Sequence, residues 1–282
     1  MVAERQPATK VVIVNPAARS TGADDIRRLS TAFPECLLLT VGADEDFGRL
    51  LAGATMTEDA LVVAVGGDGT VEAVVRVLAG TRHPLGIVPR GTFNNFARAL
   101  GIPLGFDEAV RAIQHGRPAP VTYGTANGKP FLEVVAVGTF GDALALGDAL
   151  KDLRYDDAAG SLRDVVQLRP FRYRLSGDSE RRGTARSLVV TNTRFTGANI
   201  AVGDASPDDP FLELLIWEGR RGRWRWLARA LLRQPRLPVL WQKVRRLHVE
   251  TSPRMRVYAD AAEAGETPVE IEAVSGGLQV VR

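Results

Sequence analysis

The stretch that decides the fold is "AVGGDGTVEAVV", which runs from Ala64 to Val75. An apolar run ends at two glycines, an acid and a third glycine follow, and an amphipathic segment then begins. This pattern is typical of a buried strand that turns directly into a helix. Gly66, Gly67 and Gly69 leave room for a bound group, and the start of the helix offers N–H groups to an anion. The stretch therefore predicts a phosphate-binding turn.

Asp68 needs a separate explanation, because a carboxylate beside a phosphate is repulsive unless a cation or a proton transfer intervenes. In phosphoryl transfer, Mg²⁺ neutralises developing charge and a further group orients the acceptor hydroxyl. Asp68 suits either need, and Thr70 can cap the following helix. The structural alternative is a tight turn in which Asp68 only caps the helix.

Apolar runs alternate with helical patterns over the first 120 residues. The runs are typical of strands buried on both faces, and apolar residues recur at helical spacing between them. This alternation predicts an α/β domain with a parallel sheet covered by helices. The predicted strands are 10–15, 36–40, 61–66 and 85–89, and the predicted helices are 24–33, 45–54, 70–80 and 105–118.

Strand patterns dominate after Pro118–Pro120, and several alternate apolar and polar residues as half-buried antiparallel strands do. We therefore predict an α/β nucleotide domain at 1–119 and a mostly β, mainly antiparallel domain at 120–282. The last strand either stays in the second domain or returns to the first. Helical segments are expected around 142–152 and 223–233.

Two further turns with polar side chains follow predicted strands of the first domain. Asn15 lies in "IVNPAARSTG" (13–22), at the end of the first strand. Thr92, Asn94 and Asn95 lie in "GIVPRGTFNNFARALGIP" (86–103), after the fourth strand. Ligands of open parallel sheets bind outside the carboxyl ends of the strands. Three such turns that converge at the carboxyl edge of the sheet predict a nucleotide site.

Several motifs resemble those of the diacylglycerol kinase catalytic-domain family, which includes bacterial lipid kinases and the sphingosine kinases. In the first half these are "VNP" (14–16), "GGDGT" (66–70) and "PRGTFNNFAR" (89–98). Three looser segments in the second half are similar: "VAVGTFGDALALGD" (135–148), "ANIAVGDASPDDPFLELLIWEG" (198–219) and "YADAAEAGETPVEIEAVSGGLQVV" (258–281). The resemblance covers nearly the whole chain. It implies an α/β nucleotide domain followed by a β-sandwich-like domain.

The resemblance also implies where the nucleotide and the reacting groups lie. ATP would contact Asn15, Pro16, Thr40, Gly66, Gly67, Asp68, Gly69, Thr70, Glu72 and Thr92. Mg²⁺ would accompany ATP, and Asp68 would organise the Mg-nucleotide or the acceptor. The base that takes the proton from the lipid hydroxyl would come from the C-terminal acidic motif of the family, "DGE".

This chain departs from the "DGE" pattern. Aligned back from Gly265, Asp260 keeps the first acid, alanines occupy the next two positions, and Glu263 comes one residue late. A one-residue shift in a loop would leave Glu263 able to reach the site, whereas a shift in a strand would turn it to the other face. We expect Glu263, together with Asp260, to supply the base.

The resemblance implies a structural Mg²⁺ as well. Asp209 matches the acid of the family's "D-G-x-L" segment, and the backbone carbonyls of Ser206 and Phe211 would complete the ligands. Pro210 replaces the glycine; proline keeps its carbonyl but fixes φ. The segment "SPDDP" is equally typical of an ordinary surface turn.

Positive charge is concentrated in one part of the chain, although the net charge is only +3. Between Gly219 and Leu247 there are ten Lys or Arg residues and no Asp or Glu, together with Trp224, Trp226 and Trp241. We call residues 220–246 the basic strip. It is suited to an anionic bilayer, with tryptophan rings at the headgroup level. The alternative is a surface helix packed on the β domain. No nucleic-acid motif accompanies the strip, so we expect no nucleic-acid partner.

Composition indicates the cellular setting. The chain has 282 residues, of which 45% are hydrophobic and 24% charged, and no apolar run has the length of a membrane span. The single cysteine, Cys36, excludes an internal disulfide and fits a reduced compartment. The first residues contain no apolar signal-peptide core. We expect a cytoplasmic protein that is peripheral at the inner membrane face.

The expected function is that of an ATP-dependent lipid kinase that phosphorylates diacylglycerol or a related lipid in phospholipid biosynthesis. Its partners would be a lipid substrate at a membrane surface and a second copy of the chain, with which it would form a homodimer. One alternative is a nucleotide- or lipid-binding protein of the same fold with a degraded catalytic base. Another is a NAD kinase-like or phosphofructokinase-like phosphotransferase, because these share the "GGDG" corner; "GTFNNFAR" (91–98) argues against both.

Overall fold

Two compact units make up the chain. The computed structural model describes residues 8–16, 21–41, 47–54, 56–143, 170–196, 200–218, 240–260 and 262–282. Unit 1 comprises Met1–Val121 and Gly276–Arg282, and unit 2 comprises Thr122–Ser275. Helices alternate with parallel strands in unit 1, and antiparallel strands dominate unit 2. The predicted fold class is confirmed.

Unit 1 is built on a parallel sheet. Its strands are β1 (Ala8–Val14), β2 (Leu37–Thr40), β3 (Met56–Gly66) and β4 (Pro84–Pro89). Its helices are α1 (Ala23–Ala32), α2 (Phe47–Ala52), α3 (Asp68–Leu78), α4 (Asn95–Ala99) and α5 (Phe106–His115). The strands lie in the order β2-β1-β3-β4, and each neighbouring pair is parallel. Their carboxyl ends therefore share one edge of the sheet.

Burial on both faces explains why these strands are almost entirely apolar. On one face Val12 and Val63 pack with Leu29 of α1 and Ile113 of α5. Ile13, the neighbour of Val12 along β1, is also fully buried. Successive side chains of a strand point to opposite faces, so continuous apolar character requires cover on both sides.

Unit 2 consists of antiparallel strands. Those before residue 218 are β5 (Pro118–Ala126, which begins in unit 1), β6 (Lys129–Phe131), β7 (Val134–Gly138), β8 (Phe171–Gly177), β9 (Arg181–Ala185), β10 (Ser187–Thr191), β11 (Phe195–Thr196), β12 (Ile200–Ala201) and β13 (Leu212–Trp217). Later strands are β14 (Leu240–Val244), β15 (Arg246–Ser252), β16 (Arg256–Ala259), β17 (Ala262–Glu266) and β18 (Val269–Val281). One sheet has the order β14-β13-β10-β7-β16-β17, and β18, β15, β8 and β9 are neighbours in a second.

The core of unit 2 joins these two layers of strands. Val135 of β7 and Leu214 of β13 pack with Leu175 of β8 and Val249 of β15. In β8, buried and exposed residues alternate, as the pattern "FRYRLSG" predicts for a strand covered on one face. Unit 2 is thus a two-layer β structure of the sandwich type.

The last strand, β18, takes part in both units. Residues 269–272 pair antiparallel with β15 in unit 2. Near the end of the strand, Gln279 and Val280 pair parallel with Pro84 and Leu85 of β4 in unit 1. The sheet of unit 1 therefore contains a strand from the far end of the chain.

Some predicted segments lie largely outside the described residues. Only 142–143 of the predicted helix at 142–152 is described, within a helical turn at 139–143. The predicted helix at 223–233 falls outside the described residues, as does the basic strip up to residue 239. Among the helices of the described ranges, none is both long enough and apolar enough to cross a membrane.

Candidate active site

Close contacts at Gly66 and Gly67 shape the loop after β3. A Cβ atom on Gly66 would lie 2.3 Å from Oγ1 of Thr70, and one on Gly67 would lie 3.0 Å from Cα of Gly91. These spacings leave no comfortable room for a side chain at either position. Gly69 differs, because a Cβ atom there meets no atom within 4 Å. Open space therefore adjoins the first turn of α3.

Two neighbouring turns are bonded to this loop. Asn15, after β1, donates from Nδ2 to Oγ1 of Thr70 at 3.1 Å. The backbone N–H of Asn15 also donates to the carbonyl of Val65 at 3.1 Å. The N–H of Arg90, after β4, donates to the carbonyl of Gly66 at 2.7 Å. The structure thus brings the turns after β1, β3 and β4 together at the carboxyl edge of the sheet.

The other predicted nucleotide contacts lie at or near this edge. Pro16 follows the turn after β1, Thr40 ends β2, and Thr92 lies in the turn after β4. All three are exposed. Glu72 is different: its carboxylate pairs with Arg76 one turn further along α3. Glu72 therefore contributes to the helix surface itself.

Asp68 is the first residue of α3 and is partly exposed. A carboxylate in the first turn of a helix interacts favourably with the positive end of the helix dipole. This residue is not sealed in the core of unit 1. Asp68 therefore lies at the same edge as the three joined turns and is partly exposed there.

An ion pair that the sequence analysis did not single out holds the turn after β4. Nη2 of Arg90 lies 2.7 Å from Oδ2 of Asp25, whose side chain is only 6% exposed. Oδ2 of Asp25 also accepts the N–H of Gly22 at 3.1 Å, just before α1. Within the turn, Asn94 both accepts from the N–H of Gly91 and donates to its carbonyl, each at 2.9 Å. An acid at the third position of a helix is the sequence signal that could have indicated Asp25.

In unit 2, the carboxylate of Asp260 is held by backbone N–H groups. Oδ2 accepts from Leu132 at 2.6 Å, and Oδ1 accepts from Glu133 at 2.8 Å and from Val134 at 2.9 Å. The N–H of Asp260 donates in turn to the carbonyl of Val134 at 2.9 Å. These hydrogen bonds suit Asp260 to fixing the β16–β17 hairpin against β7.

Glu263 lies on β17, at the edge of its sheet. The pairing with β16 shifts by one residue: Gly265 is opposite Val257, but Glu263 is opposite Tyr258. One residue of β17 therefore forms a β-bulge. Val257 and Ala259 belong to the core of unit 2. In an unbroken register Glu263 would lie opposite Ala259 and face this core, so the bulge directs its side chain to the other face, where it is exposed.

The residue opposite Glu263, Tyr258, lies on the same face but is only 5% exposed. Burial raises the pKa of the Tyr258 hydroxyl, with hydrogen bonding to Arg256 acting in the opposite direction. Tyr258 is therefore neutral at physiological pH. Glu263 thus stands beside an uncharged aromatic residue on this face of the sheet.

The loop predicted to hold a structural metal makes several contacts within unit 2. Oδ2 of Asp209 lies 3.4 Å from Nζ of Lys243. The carbonyl of Ser206 accepts the N–H of Asp209 at 2.9 Å. The guanidinium of Arg245 lies over the ring of Phe211, 4.5 Å from its centroid. Across the described ranges, no group of three His, Cys, Asp or Glu side chains is arranged to hold a metal ion.

Comparison with protein families and relatives adds to this geometry. Residues 9–126 match the diacylglycerol kinase catalytic domain, and residues 144–282 match the YegS C-terminal NAD kinase beta sandwich-like domain. A diacylglycerol kinase of Mycobacterium tuberculosis is 31% identical over 261 residues, which is 86% of this chain and 83% of the relative. A diacylglycerol kinase of Bacillus subtilis is 28% identical over 242 residues, which is 81% of this chain and 79% of the relative. The chain spans only 54% of a related uncharacterised protein of Synechocystis.

A solved structure supports the fold. The crystal structure of a diacylglycerol kinase from Bacillus anthracis aligns with a TM-score of 0.74 at 23% identity, covering 96% of each chain. At this identity the likeness concerns the fold. The fold of this chain is therefore shared with that protein over nearly its whole length.

Proposed function

This chain belongs to the family of the diacylglycerol kinase catalytic domain, and on that basis we propose that it is an ATP-dependent lipid kinase. The acceptor would be a hydroxyl of diacylglycerol or a related lipid, and the products would be a phosphorylated lipid and ADP. The observation that carries the proposal is the joining of three turns at one sheet edge, with Asp68 at the start of α3. The names of the relatives support the lipid as acceptor.

Unit 1 fits a triphosphate. The N-terminus of α3 offers a positive dipole end, and the missing side chain of Gly69 leaves open space beside it. When bound, ATP supplies the phosphoryl group and Mg²⁺ neutralises the charge that develops during its transfer. Asn15 and Thr70 fix the edges of the loop, and Asp68 holds the cation or orients the acceptor hydroxyl.

The acceptor hydroxyl must lose a proton as its oxygen bonds to phosphorus. We assign Glu263 as the group that takes this proton. Its side chain is exposed because of the bulge in β17, whereas the oxygens of Asp260 already accept backbone N–H groups. Asp260 then acts as a positioning residue that fixes the hairpin on which Glu263 lies.

Gly69→Ala is expected to weaken ATP binding at least tenfold without loss of stability. The added methyl group occupies the open space where we place the phosphates, and alanine is favoured over glycine in a helix by about 1 kcal/mol. Titration calorimetry with ATP and thermal unfolding measure the two effects. Gly91→Ala serves as the contrast, because its Cβ atom would lie 2.5 Å from Cα of Gly67. That variant should lose about 1–3 kcal/mol of stability; ATP affinity unchanged in Gly69→Ala would contradict the phosphate position.

We place the lipid partner on an anionic membrane, in contact with the basic strip. The described end of the strip supports this: Trp241 is 52% exposed, and Lys243, Arg245 and Arg246 are exposed as well. Exposed tryptophan beside Lys and Arg is typical of residues that lie at a bilayer surface. The protein would then be cytoplasmic and peripheral at the inner membrane face.

Arg245→Gln is expected to weaken binding to vesicles that contain phosphatidylglycerol by about fivefold, since each cation near an anionic surface contributes about 1 kcal/mol. Arg182→Gln is the matched control, because Arg182 is exposed on β9, outside the basic strip. Co-sedimentation with phosphatidylglycerol and with pure phosphatidylcholine vesicles measures the difference. Equal binding by both variants would show that the strip is not the membrane contact.

The proposal as a whole is tested by transfer of label from γ-³²P-ATP to a total lipid extract, followed by identification of the labelled product. A labelled phospholipid is the expected result. ATP binding without transfer to any lipid would favour a nucleotide-binding protein with a degraded base. Label on a soluble acceptor such as NAD would favour the NAD kinase-like alternative. The homodimer remains a prediction, which light scattering tests.

A further inference from the structure

The loop that contains Asp209 has a protein cation beside its acid. Nζ of Lys243 lies 3.4 Å from Oδ2 of Asp209. In the antiparallel pair β13–β14, Lys243 is also directly opposite Glu213, a residue that is 2% exposed. The ammonium group of Lys243 therefore lies beside Asp209, in the segment in which the family resemblance implies a metal, and its strand position faces a second acid, Glu213.

A second cationic side chain lies beside this loop. Arg245 and Lys243 both lie over the ring of Phe211, at 4.5 Å and 5.8 Å from its centroid. Like charges repel, so two cationic side chains next to this loop disfavour a further divalent cation. An ion at Asp209 would also have to displace the ammonium group that is already paired with this carboxylate.

We propose that the side chain of Lys243 takes the place of a structural divalent cation in the loop 206–211. Its ammonium group neutralises Asp209 from the edge strand β14, and the segment before β13 then folds without an ion. Because an ammonium group is already paired with Asp209, the residues present do not fit the implied metal site. This inference concerns the stability of unit 2 and is independent of the proposed kinase reaction, whose Mg²⁺ accompanies ATP at unit 1.

The test is thermal unfolding of the full chain in EDTA and in millimolar Mg²⁺, with nucleotide absent. We expect the Tm of the unmodified protein to be the same in both. Lys243→Met should lower Tm by about 2 °C more than Lys129→Met, which removes an exposed lysine from β6. Mg²⁺ should restore part of this loss, and it should restore none of it when Asp209→Asn is added.

Two results would overturn the proposal. One is a Mg²⁺-dependent rise in the Tm of the unmodified protein that disappears in Asp209→Asn, because Asp209 would then hold an ion despite Lys243. The other is an equal Tm for Lys243→Met and Lys129→Met. Titration calorimetry of Mg²⁺ without nucleotide provides a second readout. Neither measurement depends on kinase activity. The role of Lys243 can therefore be judged even if the protein phosphorylates no lipid.

Discussion

Asp68→Asn is expected to lower kcat for lipid phosphorylation by about 10³-fold while the protein remains folded. The amide keeps the size and shape of the side chain but loses the charge with which Asp68 would hold Mg²⁺ or orient the acceptor. The loss of stability should be limited to about 1 kcal/mol, the usual contribution of an acid in the first turn of a helix. Transfer of labelled phosphate to lipid gives kcat and KM, and thermal unfolding reports the fold.

Glu108→Gln is the matched control for this variant. Glu108 lies in the first turn of α5, also in unit 1, and its exposed carboxylate pairs with Arg111. The same change from carboxylate to amide at another helix start should leave turnover unaltered. Full activity in Asp68→Asn would remove Asp68 from the mechanism, whereas a loss shared by Glu108→Gln would point to a general effect on unit 1.

Glu263→Gln is expected to lower kcat by about 10²-fold or more, which is the usual contribution of a general base. Because the side chain is exposed, Tm should not change. Glu266→Gln is the control on the same strand, since Glu266 is also exposed on β17.

The bulge provides a second test of Glu263. Deletion of Ala264 removes the bulged residue and should restore a regular register between β16 and β17, with Glu263 still opposite Tyr258 and on the same face. We expect this deletion to retain most of the turnover that Glu263→Gln loses, because Glu263 keeps its partner and its face of the sheet. Normal turnover in both variants would exclude Glu263 as the base and return attention to Asp260.

The parallel strands of unit 1 could be predicted because burial on both faces leaves a continuous apolar run. "LVVAVG" and "LGIVP" are examples, and they lie within β3 and β4. Two strands of unit 2 carried no such signal. β17 reads "AEAGE", without a β-branched or aromatic residue, and β14 reads "LWQKV" within the basic strip. Edge strands of this kind depend on their neighbours rather than on their own propensity.

The positions of the three turns could be predicted for a similar reason, since parallel strands place their carboxyl ends at one edge. The contacts that hold the turns could not. Arg90 and Asp25 are 65 positions apart, and Asp260 and Leu132 are 128 apart, so no local pattern connects them. The bulge at Glu263 was equally hidden, because a bulge is a break in the alternation by which strands are detected.

The return of β18 to unit 1 has a consequence for the order of events during translation. On a ribosome the first 121 residues emerge long before residues 276–282, yet both segments belong to one unit. Until then β4 of the nascent chain lacks its neighbour on one side, and an open strand edge invites pairing with other chains. The N-terminal unit can therefore reach its complete sheet only after synthesis of the whole polypeptide, and its exposed edge is where we expect chaperones to act.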